Sequence, residues 1–213
     1  MLGDVLLIED KHMRVGGQIA DEILKRRKDK YICAISGESG SGKSELANVI
    51  GKALRNAGVS AKAISTDNYY RTDPRERTEW RLRQGIEKVV GYEEYDWPAI
   101  EATIESFKNN RTASLPCVDL ITNRVDTLTT NFEGIDVLIL DGLYAIKSSN
   151  VDLKIFIELT YHQTKKAQVT RGKEPQNEYR MRVLEQEHKM VSSLKAMADL
   201  LVSQDYELKP PQL

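Results

Sequence analysis

Short, wholly apolar runs alternate along this chain with longer segments whose apolar residues recur every three or four positions. Tyr31-Ile32-Cys33-Ala34-Ile35 is the first such run, and a strand over 30–36 follows from it. Behind it Leu46, Val49, Ile50, Ala53 and Leu54 keep helical spacing, which predicts a helix over 43–56 with Gly58 as its stop. Further strands are expected over 59–65, 135–140 and 153–159, with a last short one over 199–203. Ile19, Ala20, Ile23 and Leu24, set among charges, predict an amphipathic helix from Val15 to Lys28. Trp97-Pro98 opens a helix to about Asn109, with Pro98 in its first turn. Helices are also expected over roughly 161–171 and 178–198. Two alternating runs around Thr122-Asn123-Arg124 predict a β-hairpin over 113–130, outside the main sheet. The polar stretch 71–96 is weakly periodic and reads as a short helix with loops or as a flap. Pro210-Pro211 marks a frayed tail.

Strands that alternate with helices predict an α/β domain, a parallel central sheet covered on both faces in three α/β/α layers. The 213 residues suit one domain, with 1–29 as a helical extension, 113–130 as the hairpin flap and 165–182 as a short helical lid. In such a sheet the ligand lies at the carboxyl ends of the strands, so the chemistry is sought there.

One of those ends reads Gly37-Glu38-Ser39-Gly40-Ser41-Gly42-Lys43-Ser44. It fits the phosphate-binding P-loop, set between a strand and a helix as that motif requires. Gly37, Gly40 and Gly42 let the backbone curl so that its N–H groups converge on a triphosphate at the helix N-terminus. Lys43 is placed to reach the β- and γ-phosphate oxygens and the Ser44 hydroxyl to hold Mg²⁺. Asp141 closes the strand 135–140 and is read as a second Mg²⁺ ligand, against a capping role. Asp67 closes the strand 59–65 and is read as a base that takes a proton from an acceptor hydroxyl, against a helix N-cap. Lys165, Lys166, Arg171, Lys173, Arg180 and Arg182 crowd a polar segment suited to closing over phosphates, against a solvated charged surface; Arg171, beside Gly172, is the leading choice.

Bulk properties narrow the partners. Lys plus Arg number 31 and Asp plus Glu 32, so no general basic field argues for nucleic acid or an anionic membrane. Lys25-Arg26-Arg27-Lys28 reads as a solvated helix C-terminus. Cys33 and Cys117 lack metal-type spacing, and Cys33 is expected to be a reduced core residue. No segment approaches a membrane span and no signal pattern opens the chain, so a cytoplasmic protein is the expectation, with a small-molecule substrate as its partner and the oligomeric state, a homo-oligomer included, left open.

The P-loop, then Ser65-Thr66-Asp67-Asn68-Tyr69-Tyr70, then Tyr95-Asp96-Trp97-Pro98, resemble the uridine kinase group, a relative of phosphoribulokinases and pantothenate kinases. Leu115-Pro116-Cys117-Val118-Asp119 is similar to that group's substrate hairpin and Leu140-Asp141-Gly142 to its Glu-Gly strand end; the resemblance is collinear over roughly 30–204. It implies a nucleoside-kinase-like P-loop fold and a kinase that uses ATP and Mg²⁺ to phosphorylate a hydroxyl, the 5′-hydroxyl if the acceptor is uridine or cytidine. Asp67 would be its base, Asp96 would hold substrate hydroxyls, Tyr70 would line the acceptor site and Arg171 would belong to the lid. Where uridine-cytidine kinases carry a Tyr and a His in the hairpin, this chain has Val118 and Asn123. Asn123 can still hydrogen-bond a base edge; Val118 cannot. The Arg-rich lid pattern is reduced to Arg171-Gly172-Lys173, with Gln168 in place of one arginine. A sugar-, glycerate- or pantothenate-type acceptor is the alternative within the enzyme class. A P-loop switch or regulatory ATPase is the alternative outside it, although Asn123-Arg124-Val125-Asp126 sits on the wrong side of the Asp141 strand for a guanine-reading motif.

Overall fold

The computed structural model describes residues 1–172 and 175–211. Five strands form a parallel sheet: β1 (Tyr31–Gly37), β2 (Ala61–Ser65), β5 (Val137–Asp141), β6 (Leu153–Ile157) and β7 (Leu200–Val202). Their order across the sheet is β2-β5-β1-β6-β7. A short strand β8 (Leu208–Lys209), for which the sequence predicted no element, pairs antiparallel with β7 at the edge just before Pro210-Pro211. The separate antiparallel pair β3 (Thr112–Asp119) and β4 (Arg124–Asn131) is the expected hairpin.

The apolar runs are continuous because the sheet has two covered faces. Along β1, Ile32 and Ala34 enter one core with Leu138, Leu140 and Phe156, whereas Tyr31, Cys33 and Ile35 enter the other with Ile50, Ile139 and Ile155. The period-two alternation of a strand therefore feeds two apolar layers. Burial raises the Cys33 thiol pKa, so it stays an inert core group.

Helices cover both faces: α1 (Asp10–Arg26), α2 (Lys43–Asn56), α3 (Pro74–Gln84), α4 (Ile86–Val89), α5 (Trp97–Lys108), α6 (Lys165–Arg171) and α7 (Glu178–Ser192). The stretch 71–96 thus holds two short helices; Asp73 caps the first, accepting from Arg75 N at 2.9 Å, with Pro74 at its first turn. The helix expected from 161 begins only at Lys165, because the turn before it is tied elsewhere: Thr164 Oγ1 donates to Ser39 O at 2.7 Å and Gln163 Oε1 accepts from Thr160 N at 2.9 Å. The one expected over 178–198 changes at Ser193 to a 3-10 turn that runs to Met197.

The N-terminal helix is longer than the periodicity suggested and belongs to the core. Val15, Ile19 and Ile23 are wholly buried, each worth about 1.5–3 kcal/mol of hydrophobic stabilisation. Gly16 lets it lie directly on α2, since a Cβ there would strike the Val49 side chain. Its basic end is solvated as expected, with Lys25 and Arg26 paired to Glu22.

Candidate active site

The carboxyl ends of β1, β2 and β5 open into a cleft of about 360 Å³. Its floor is the P-loop. Ser39, Gly40, Gly42, Lys43 and Ser44 line it, whereas Gly37, Glu38 and Ser41 are buried behind the wall and build the loop. Gly42 sits at φ 99° as the cap of α2, and a Cβ there would collide with the Tyr206 hydroxyl. Gly40, at φ 75°, lies so close to α6 that a Cβ would stand 2.9 Å from Gln168 Cγ. Glu38 braces the loop from outside: it accepts from Tyr161 N at 2.6 Å and pairs with His188 Nδ1 at 2.6 Å. Tyr206, before β8, donates to Ser41 O at 3.1 Å. Neither brace was readable from the motif, since both partners lie more than a hundred residues away.

The remaining ligating groups converge on Lys43. Its Nζ donates to Glu38 O at 2.8 Å, and burial lowers its pKa while Asp67 and Asp141 oppose that shift. Ser44 Oγ donates to Asp141 Oδ1 at 3.0 Å. Asp141 is buried, and its pKa is raised to about 6 by burial first and the charge of Asp67 second. It has no ion pair among the described residues. A buried carboxylate that touches a hydroxyl, its charge only partly offset by Lys43, suits a hard divalent ion. No cluster of three or more His, Cys, Asp or Glu ligands occurs among the described residues. Mg²⁺ takes one or two protein ligands and completes its shell with phosphate and water. Ser44 and Asp141 are the groups that would hold it.

The same geometry sets a stability prediction. A carboxyl whose pKa is higher folded than unfolded binds more protons in the folded state between pH 4 and 6, so its contribution to stability falls as pH rises through that window. Asp141→Asn removes the penalty. Without nucleotide, the variant is expected to exceed the wild type by about 1–3 kcal/mol at pH 8, with the gap closing towards pH 4. Chemical denaturation at the two pH values measures this; equal stability at pH 8 would show that Asp141 is not strained by burial.

Asp67 sits in a 3-10 turn, Thr66–Asn68, directly after β2, and lines the cleft half-buried. Tyr95 places it. The backbones of Tyr70 and Tyr95 form an isolated antiparallel bridge, with Asp96 N donating to Tyr69 O at 2.7 Å. This sets the wholly buried Tyr95, whose hydroxyl donates to Asp67 Oδ1 at 3.1 Å and lies 2.8 Å from the Tyr70 hydroxyl. Burial, then the Asp67 charge, raises the Tyr95 pKa, so it remains a donor. Tyr95→Phe is expected to lower kcat about 3–10-fold, the worth of one neutral donor to a charged acceptor, with KM for ATP unchanged. Steady-state kinetics with varied ATP tests this; an unaltered kcat would remove Tyr95 as a positioning group.

Tyr70 and Asn123 also line the cleft, Asn123 from the hairpin turn at φ 58°. Asn68 Oδ1 accepts from Val118 N at 3.0 Å and hangs the hairpin over the opening, with Val118 on the wall. Asp96 is not among the lining residues; its Oδ1 caps α5, accepting from Ala99 N at 3.1 Å.

The basic segment divides by helical face. On α6, Gln168 and Arg171, three positions apart, face the cleft, while Lys165 and Lys166 are exposed. Arg180 lines the cleft and donates to Ser39 Oγ at 3.1 Å, whereas Arg182 points outward to Glu87 at 2.6 Å. Lys165, Lys166 and Arg182 are therefore not part of the cleft wall. Lys173, and with it part of the 165–182 span, lies outside the described residues. Arg171 is held by both Asp4 oxygens at 2.9 Å and faces Glu45 at 3.8 Å. Arg77 and Arg81, on α3, also reach the wall. They stand one turn apart, the signal that could have found them in a stretch read only as polar.

The family model "Phosphoribulokinase / Uridine kinase family" matches residues 32–176. A uridine kinase of Macrococcus caseolyticus is 29% identical over 131 residues, 60% of this chain and 61% of that protein, so the match spans less than two thirds of the relative. Among solved structures, a "possible uridine kinase" from Bacillus stearothermophilus superposes with a TM-score of 0.66 at 18% identity, covering 88% of this chain and 97% of that one. A D-glycerate 3-kinase from Cryptococcus neoformans gives 0.61 at 13% identity, over 95% and 99%. At those identities both share the fold. No helix among the described residues is long and apolar enough to cross a membrane.

Proposed function

The chain belongs to the phosphoribulokinase/uridine kinase family, and on that premise we propose that it is an ATP-dependent kinase of a small hydroxyl-bearing metabolite. The observation that carries this reading is the meeting of Lys43, Ser44, Asp141 and Asp67 at adjoining strand ends, on the wall of one cleft or directly behind it. The P-loop amides and Lys43 bind the triphosphate and orient its γ-phosphorus towards Asp67. Asp67 takes the acceptor's hydroxyl proton. The acceptor oxygen then forms its bond to the γ-phosphorus as the bond from that phosphorus to the β–γ bridging oxygen breaks, and ADP leaves with that electron pair. Mg²⁺, held by Ser44 and Asp141 when bound, neutralises charge on the β- and γ-phosphates. Arg180, touching Ser39, and Arg171 are the groups of this chain placed to steady the transferring phosphoryl.

Two acceptor classes enter the cleft on this reading. The 5′-hydroxyl of uridine or cytidine is favoured by the sequence relatives. A non-nucleoside acceptor is favoured by the hairpin, where Val118 presents no hydrogen-bonding group to a base. Incubation with Mg-ATP and a panel of nucleosides, sugars and hydroxy acids, followed by ADP release, tests the reading. A kinase shows turnover that rises with one acceptor; slow hydrolysis indifferent to every acceptor identifies a nucleotide switch instead.

A further inference from the structure

The arginines on the cleft wall are not equivalent. Arg81 makes a buried two-point pair with Glu94 at 2.6 and 3.0 Å. Arg171 faces Asp4 and Glu45, and Arg180 faces Glu187 at 3.4 Å. Arg77 is different: no carboxylate among the described residues makes a salt bridge with it, although its charge reaches Asp73 at the helix cap, which is paired with Arg75. Its guanidinium stands over the Tyr70 ring, 3.7 Å from ring centroid to Cζ. One nitrogen, Nη2, donates to Thr72 O at 3.2 Å, and Nε is buried without an acceptor, a feature shared with Arg171, so it is the missing carboxylate that sets Arg77 apart. A guanidinium carries five N–H donors in a rigid fork, so this one is oriented by stacking and left with donors to spend. A buried donor left unmet is destabilising, and a bound ligand that accepts from it relieves that strain.

Its place in the cleft is also specific. Tyr70, on which it stacks, hydrogen-bonds through Tyr95 to Asp67, so Arg77 lies on the acceptor side of the cleft. The hairpin closes the same space with Val118, Leu120 and Asn123. Among the described residues that line the cleft two are carboxylates, Glu187, which faces Arg180 at 3.4 Å, and Asp67. A neutral acceptor would leave the Arg77 fork unmatched beside it; a carboxylate or phosphate would match it with two parallel hydrogen bonds.

We propose that the acceptor is an anion, a small hydroxylated metabolite bearing a carboxylate or phosphate that Arg77 reads while Asp67 faces its hydroxyl. The inference rests on the kinase reading above and sharpens its substrate class: Arg77 is the specificity residue, and an acidic acceptor is preferred over a neutral nucleoside. Stacking on Tyr70 fixes the fork before substrate arrives, which lowers the ordering cost of the contact.

The test uses sets matched in carbon skeleton: glycerol, D-glycerate and glycerol 3-phosphate; ribose, ribonate and ribose 5-phosphate; and uridine beside them. Each is assayed as acceptor with Mg-ATP in the full chain, by kcat/KM. The wild type is expected to favour an anionic member over its neutral partner and over uridine by at least about 10-fold, the carboxylate and phosphate arms telling the two anions apart. Arg77→Gln is expected to shrink that ratio about 10–100-fold, mainly through KM for the acceptor. Arg77→Lys, which keeps the charge and loses the fork, falls between and guards against a folding artefact, with circular dichroism of both variants as a control. Turnover that prefers neutral acceptors, or an anionic preference untouched in Arg77→Gln, would overturn the assignment while leaving the kinase intact. ADP release that no acceptor stimulates would overturn the kinase reading, and this inference with it.

Discussion

Asp67→Asn is expected to cut turnover by roughly 10²–10⁴-fold, the usual worth of a general base, while leaving ATP affinity nearly intact. The amide is isosteric, and Tyr95 can still donate to its Oδ1, so the turn after β2 should keep its shape. What disappears is the capacity to take a proton. The loss should therefore appear in kcat for every acceptor alike, and poorly in KM for ATP. Steady-state kinetics together with nucleotide titration separates the two. An activity close to wild type would confine Asp67 to a capping role in its 3-10 turn.

Lys43 carries the second large expectation. It is buried between two carboxylates, and burial already opposes its charge. Lys43→Ala removes the cation that would meet the β- and γ-phosphates and leaves Asp141 facing Asp67 without it. Productive triphosphate binding should be lost, with kcat/KM for ATP down by roughly 10²–10⁴-fold. Lys43→Met keeps the apolar stem and should fare no better in catalysis, which distinguishes lost charge from lost packing. Unchanged nucleotide-dependent kinetics in either variant would sink the P-loop assignment.

These two residues illustrate what a linear reading can reach. The P-loop and α2 are legible because everything that defines them is local: glycines where φ is positive, then a helical apolar stripe from Leu46 to Leu54. The end of β5 is nearly as legible, because its apolar run stops at Asp141; β2 is more polar and ends at Ser65, two residues before Asp67. Contacts between distant segments are where it fails. Tyr95 was visible only as a neighbour of Asp96, yet the bridge to Tyr70 brings it to Asp67. Asp96, which a family resemblance raised to a substrate ligand, is occupied in capping α5. Its substrate role stays a proposal that depends on a substrate displacing, or sharing, that cap.

Charge was harder still. Six basic residues formed one crowd in sequence, but a helix has faces, and the 3.6-residue period sends Lys165 and Lys166 to solvent while turning Arg171 inward. Arg77 stands in a stretch without apolar periodicity. The one-turn spacing of Arg77 and Arg81 is the local sign of a shared face of α3; that this face looks into the cleft shows only in the fold. The N-terminal segment is similar. Its apolar stripe predicted a helix; its use, packing on α2 and offering Asp4 to Arg171, needed the fold.

The claim underlying all of this is that the cleft moves a phosphoryl group to an acceptor and does not merely hydrolyse a nucleotide. Supplying ATP labelled in its γ-phosphate, with Mg²⁺ and the acceptor panel, and following where the label goes, tests it most directly. The account predicts label in a phosphate ester of the acceptor, formed in step with ADP and abolished in Asp67→Asn. Label found only in inorganic phosphate, at a rate that no acceptor changes, would contradict it.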